Sequence, residues 1–156
     1  MKIGFNEAND RFCKDHSVMK DLEYCEKYGF DYIDIQSECL NRDLEAGKIT
    51  LEEMGEWFKT HHLKMLSYNA LCFFNMKQTQ EEKDAVMAEL DEIIRRCDIL
   101  GCKMIVVVPS KDMKERGLTP TRKEIREDAV AVLKEMVKKC EPHGIKLRPG
   151  VLRRAG

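Results

Sequence analysis

No C-x-x-C pair occurs in this chain, although it holds seven cysteines, at Cys13, Cys25, Cys39, Cys72, Cys97, Cys102 and Cys140. The odd count and the scattered spacing argue against a disulfide framework and against a thiolate zinc site. Neither G-x-G-x-x-G nor a P-loop is present. Those glycines let backbone N–H groups reach phosphate, so their absence weakens a dinucleotide reading and leaves a flavin or a small effector open. No apolar run approaches the roughly 18 residues of a membrane span. The first residues, M-K-I-G-F-N-E-A, lack the apolar core of a signal peptide, and a cytoplasmic location is expected. One sign of charge does not dominate either: 27 Lys and Arg stand against 28 Asp and Glu, for a net charge of -1. Such a chain has no basic field for nucleic acid. Neither nucleic acid nor membrane is expected as a partner.

What is present is an alternation of short apolar runs with longer amphipathic ones, the pattern of an α/β protein with a parallel sheet. In 156 residues, 43% hydrophobic and 35% charged, no linker or low-complexity stretch divides the chain. Strands are expected at residues 2–7, 32–36, 64–69 and 103–109. The last, K-M-I-V-V-V-P, reads as a strand buried on both faces. Helices are expected at 17–28, from Thr50 with Glu53 as a capping box, from Thr79 to Leu100, and from Thr121 to Pro142 and Gly144. The third buries Val86, Leu90, Ile93, Ile94, Cys97 and Leu100. The fourth carries Ile125, Ala129, Val132, Leu133, Met136 and Cys140 on one face. Cys25, Cys97 and Cys140 fall in last turns as small core residues.

A repeat runs through this pattern: cysteine, three residues, glycine, then a strand. It reads C-E-K-Y-G-F-D-Y-I-D-I, then C-D-I-L-G-C-K-M-I-V-V-V, then C-E-P-H-G-I-K-L-R-P-G. In the third copy the strand begins at Ile145, and Arg148 and Pro149 are expected to end it, because neither continues a buried central strand. Four strand–helix units and a fifth-strand stub result. Residues 1–147 are expected to form the domain and 148–156 a tail of the sort a shifted reading frame or an early gene end produces.

Sites in such folds lie beyond the C-terminal ends of the strands. The polar residues there are Asn6, Glu7, Gln36, Asn69, Asn75 and Ser110. Asp34 reads as bonding within its surroundings. The apolar loop L-C-F-F-N-M, residues 71–76, reads equally as a cover for the sheet end or as a pocket wall. His61 and His62 point in different directions at a helix end, where the macrodipole favours them. His16 and His143 stand isolated.

Read together, K-I-G-F-N-E-A, L-E-Y-C-E-K-Y-G-F-D-Y-I-D-I-Q, T-H-H-L-K-M-L-S-Y-N-A-L-C-F-F-N and I-V-V-V-P-S resemble the inosose isomerase (2-keto-myo-inositol isomerase) family of inositol catabolism. That family belongs to the xylose-isomerase-like sugar isomerases and epimerases. The resemblance implies a truncated (β/α)8 TIM barrel, the N-terminal half of a metal-dependent isomerase that moves a ketone by proton transfer through an enediol. It implies a small polyol or keto-inositol substrate, with Asn6, Glu7, Asn69 and Phe73 lining its side of the pocket. It also implies a divalent metal, zinc or manganese, held by two Glu, an Asp and a His at the ends of strands five to eight. The first of these ligand positions falls near Gly150. No metal is therefore expected to bind this chain, and no catalytic residue is assigned. Inactivity alone and self-association through exposed sheet edges follow as expectations. The alternatives are a small non-catalytic α/β binding module and a half-barrel that homodimerises.

Overall fold

A computed structural model of the chain describes residues 1–110 and 113–150. The basic tail, residues 151–156, lies outside them, as do Lys111 and Asp112 in the segment after the fourth strand.

The repeat unfolds into β1 (Gly4–Asn6), α1 (Val18–Lys27), β2 (Tyr32–Gln36), α2 (Ser37–Glu45), α3 (Leu51–Thr60), β3 (Lys64–Cys72), α4 (Gln80–Leu100), β4 (Met104–Val108), α5 (Arg122–Cys140) and β5 (Lys146–Pro149). The five strands form one sheet in the order β1-β2-β3-β4-β5, every pair parallel. A doubly wound sheet reverses its strand order part-way. This one does not, which is the winding of a barrel wall.

Burial follows the same plan. Ile33, Ile35, Tyr68, Ile105 and Val107 are fully buried on the face under the helices, while Tyr32, Asp34, Gln36, Met104, Val106 and Val108 alternate with them on a partly open inner face. Cys25, Cys97 and Cys140 are all buried, as their last-turn positions suggested. Each large side chain removed from water contributes about 1.5–3 kcal/mol, so this single layer carries most of the fold's stabilisation. The helices begin where the sequence signals it. Thr50 with Glu53, Thr79 with Glu82 and Thr121 with Glu124 each close a capping box. Two orphan donors are satisfied at each of these helix starts.

Three departures from the sequence reading are informative. β1 is short, because Glu7–Asn9 turns into a 3-10 helix capped by Asn6. α2 occupies a segment, between the strand at 32–36 and the helix from Thr50, where the sequence signals no helix. It lacks a side-chain cap at Gln36, and it buries only Cys39, Leu40 and Asp43, with Leu44 packed partly against the core. β5 continues through Arg148 and Pro149, where the sequence reading ended it. Lys146 N donates to Lys103 O and Gly150 N donates to Val107 O, so on this alternation the missing N–H of Pro149 falls on the side away from β4. At a sheet edge that side needs no donor, which is where proline is tolerated.

Candidate functional site at the strand ends

The C-terminal ends of the strands bring carboxamides together on the inner face. Asn6 Oδ1 accepts from its own turn, Ala8 N at 2.9 Å, and from Gln36 Nε2 at 3.2 Å. Gln36 is paired in register with Asn69, and Asn69 with Val106. One step down the barrel wall, Asp34 takes a hydrogen bond from Ser67 Oγ at 2.7 Å, as its sequence context suggested.

The loop after β3 is both cover and wall. Leu71, Phe74 and Asn75 are buried, whereas Phe73 is 41% exposed. Phe73 and Met76 both have positive φ, 59° and 57°, a strained conformation for such residues. Asn75 holds the loop there. Its Oδ1 accepts from Ser110 N at 2.7 Å, its carbonyl from Ser110 Oγ at 2.5 Å, and Met76 N donates to Asp128 Oδ2. Asn75 and Ser110 thus fasten the loop, and Phe73 is what the loop displays.

Glu7 does not join the row. Its side chain is fully enclosed beneath α1 and α2, where Oε2 accepts from Gln36 N at 2.7 Å. His16, isolated in the sequence, lies against it: His16 Nε2 is 3.3 Å from Glu7 Oε1 and 2.9 Å from Asp21 Oδ2. Arg42 donates to His16 Nδ1 from the other side. A guanidinium can only donate, so Nδ1 accepts and Nε2 carries the hydrogen. Asp43 is also enclosed and caps Val18 N at 2.8 Å. Burial pushes the Glu7 carboxyl up to about 7; the Gln36 N–H opposes this, and Asp10 and Asp43 add to it. Burial raises Asp21 as well, reinforced by Asp10. Burial lowers His16, keeping it neutral against the pull of Asp10.

The remaining histidines are structural. His61 stacks on Trp57 at 3.9 Å at the end of α3, and His62 and His143 pair with Asp31 and Asp98.

A sequential parallel sheet covered on one face calls for comparison with barrels. The family described as "Xylose isomerase-like TIM barrel" matches residues 22–149. The chain belongs to the xylose isomerase-like TIM-barrel family. An inosose isomerase of Bacillus velezensis is 34% identical over 148 residues, covering 94% of this chain and 50% of the relative. One from Bacillus licheniformis is 37% identical over 163 residues, with the same two shares. A crystal structure described as the IOLI protein with a binding zinc atom superposes with a TM-score of 0.83 at 34% identity, covering 96% of this chain and 51% of that one. A D-psicose 3-epimerase, at 15% identity and a TM-score of 0.73, shares the fold. The chain spans about half the length of the curated relatives it matches.

The superposed IOLI protein binds a zinc atom, and the resemblance implies such a metal at the ends of strands five to eight. Of strands five to eight, the described residues include β5, which ends in Arg148 and Pro149 and is followed by Gly150. None of the three offers a side-chain ligand to a divalent ion. The inner row presents carboxamides, weak ligands beside carboxylate and imidazole, and the nearby Asp34 is engaged by Ser67. The inner row does not fit the metal.

Proposed function

We propose that this chain forms the substrate-gripping part of an isomerase barrel acting on a keto-inositol or a related small polyol, and that alone it does not turn substrate over. The observation that carries this reading is the carboxamide row Asn6, Gln36 and Asn69 at the ends of adjacent parallel strands, with Phe73 beside it. Each carboxamide offers a donor and an acceptor, which suits the vicinal hydroxyl and carbonyl groups of a polyol. An exposed ring held by a strained loop suits the apolar face of a sugar. Glu7 acts one step back in this proposal: its carboxylate holds the Gln36 backbone and so sets the row. The reaction implied by the inosose isomerase relatives moves a ketone to the neighbouring carbon by proton transfer through an enediol. Positioning alone supplies only part of such a barrier. The described inner face offers no acid–base pair to supply the rest.

In this reading residues 1–147 are the family segment; the family match and the paired β5 carry two residues further, to 149, and the tail follows. The test is a chimera joining residues 1–147 to the remaining half of the Bacillus velezensis relative, assayed beside the chain itself. We expect no inosose isomerisation by the chain, turnover by the chimera, and a KM raised roughly tenfold in the chimera by Asn69→Ala, the cost of about one hydrogen-bonding side chain. Turnover by the chain alone overturns the inactivity. An Asn69→Ala chimera with unchanged kcat and KM overturns the substrate row.

A further inference from the structure

Three carboxylates converge on one ring nitrogen behind the strand-end row. From His16 Nε2, Asp21 Oδ2 is 2.9 Å away, Glu7 Oε1 3.3 Å and Asp10 Oδ1 3.9 Å. Ligand atoms held at about 2.0–2.1 Å around a tetrahedral zinc ion lie about 3.3 Å from one another. The separations from Nε2 bracket that edge length; the donor atoms of Asp10, His16 and Asp21 lie within 4.8 Å of one another, and Glu7 joins them through His16. The side chains of Glu7 and His16 are 0% and 1% exposed. Glu7 Oε1 and Asp10 Oδ1 are buried, yet neither has a hydrogen-bond partner among the described residues. The one hydrogen on Nε2 cannot serve three carboxyl groups, so their remaining oxygens need either protons shared among the carboxyls or a cation.

We propose that Glu7, Asp10, His16 and Asp21 form a binding site for one divalent ion of the zinc class, separate from the strand-end metal of the family. One imidazole with three carboxylates is a donor set for borderline ions, not for the softest ones. The ligands come from the turn after β1, the loop behind it and the first turns of α1, so the ion clamps the end of β1 to the start of α1. A cleft of about 380 Å³, lined by Asp10, His16 and Asp21 among others, gives the ion a route in. Binding moves the hydrogen on Nε2 to Nδ1 and releases to solvent any protons held by the carboxyls. Arg42, which donates to Nδ1, must then turn away. Asp43 receives it, since Asp43 Oδ1 has no hydrogen bond among the described residues and lies 3.6 Å from Arg42 Nε, with the Lys48 ammonium 3.8 Å from the same oxygen. Arg42 therefore opposes the ion. Cys39 Sγ also lies within 4.8 Å of the Glu7 and His16 donor atoms, and the experiment separates its contribution.

The full chain, stripped with a chelator, is titrated with Zn²⁺ by calorimetry and with Co²⁺ by absorption. We expect one ion per chain, a higher melting temperature with zinc, at least tenfold weaker binding in His16→Asn, and about tenfold tighter binding in Arg42→Gln. The Co²⁺ complex should show tetrahedral ligand-field bands without thiolate charge transfer. Absence of zinc uptake, or uptake unchanged in His16→Asn, overturns the site; a strong thiolate band overturns the assigned ligand set. Should His16→Asn fail to fold, Arg42→Gln decides, because Arg42 is exposed and supplies no ligand: affinity unchanged or weaker overturns the proposal. None of these outcomes bears on the carboxamide row, which the chimera tests separately.

Discussion

Glu7 shows how one residue changes meaning between the chain and the fold. At the end of the first strand it reads as a pocket carboxylate, but the 3-10 turn at Glu7–Asn9 carries it under the helices to meet His16 and Asp21. Its titration has a measurable consequence in the metal-free chain. The carboxyl has an ordinary value of 4.5 and is pushed to about 7 in the fold. Between those values the folded state keeps a proton that the unfolded state has released, so Glu7 favours folding below the lower value and that contribution is lost as pH rises through the upper one. The groups facing it are Asp10, Asp21 and Asp43 and the neutral His16, with the positive Arg42 and Lys48 beyond, against His16 and Asp43. Asp21 is shifted in the same direction and steepens the loss. For Glu7 the change is on the order of 3 kcal/mol. Thermal melts in chelator should show the melting temperature falling from about pH 5 to about pH 8, with a shallower fall in Glu7→Gln. Parallel curves for the two proteins would remove Glu7 from this role. Sequence reasoning missed His16 because its partners stand nine residues before it and five after it, linked only by the turn that closes them. The D-H-S run at the start of a helix was the one available signal.

At the scale of elements, the strand–helix alternation was readable because hydrophobic period and capping chemistry agree locally. α4 buries the six residues its spacing named. α5 does not bury its stripe fully: Met136 and Cys140 are enclosed, while Ile125, Ala129, Val132 and Leu133 remain half-buried. Periodicity selects a face, and the neighbours that cover the face decide how much of it is enclosed. Contact between elements also set a residue that the sequence left unremarked. Gly55, inside α3, packs against the end of α4, and a Cβ there would stand 2.7 Å from the Ile99 carbonyl oxygen and 3.3 Å from its Cγ2. Alanine improves helix propensity by about 1 kcal/mol. The clash is with backbone that cannot step aside, so overpacking outweighs the gain, and Gly55→Ala should lower unfolding stability by about 1–3 kcal/mol in urea titrations. A stabilised variant would mean that α3 and α4 slide apart more readily than this packing implies.

At the scale of the whole molecule, five parallel strands in sequence order make a barrel wall with two unpaired edges among the described residues, β1 and β5. Apolar side chains are exposed near both: Met1 and Ile3 by β1, Val130 and Val137 on α5. Edges of this kind pair with other chains unless they are blunted. The purified chain should therefore elute from size exclusion as a dimer or larger species, with the apparent mass rising with concentration. A concentration-independent monomer that melts cooperatively would show that the edges are covered from within the chain.

Local sequence determined the strand–helix order, three capped helix starts, the buried cysteines and the membership suggested by F-N-E-A and N-A-L-C-F-F-N, because propensity, periodicity and capping act over a few residues. Only the tertiary structure decided that Asn6 and Gln36 bond while Gln36 and Asn69 sit in register, that Glu7 turns away to join His16, Asp10 and Asp21, and that Pro149 stays in β5. Each of those depends on which groups face one another across strands or turns, and on which side of a strand remains an edge, and no local rule of the chain encodes that.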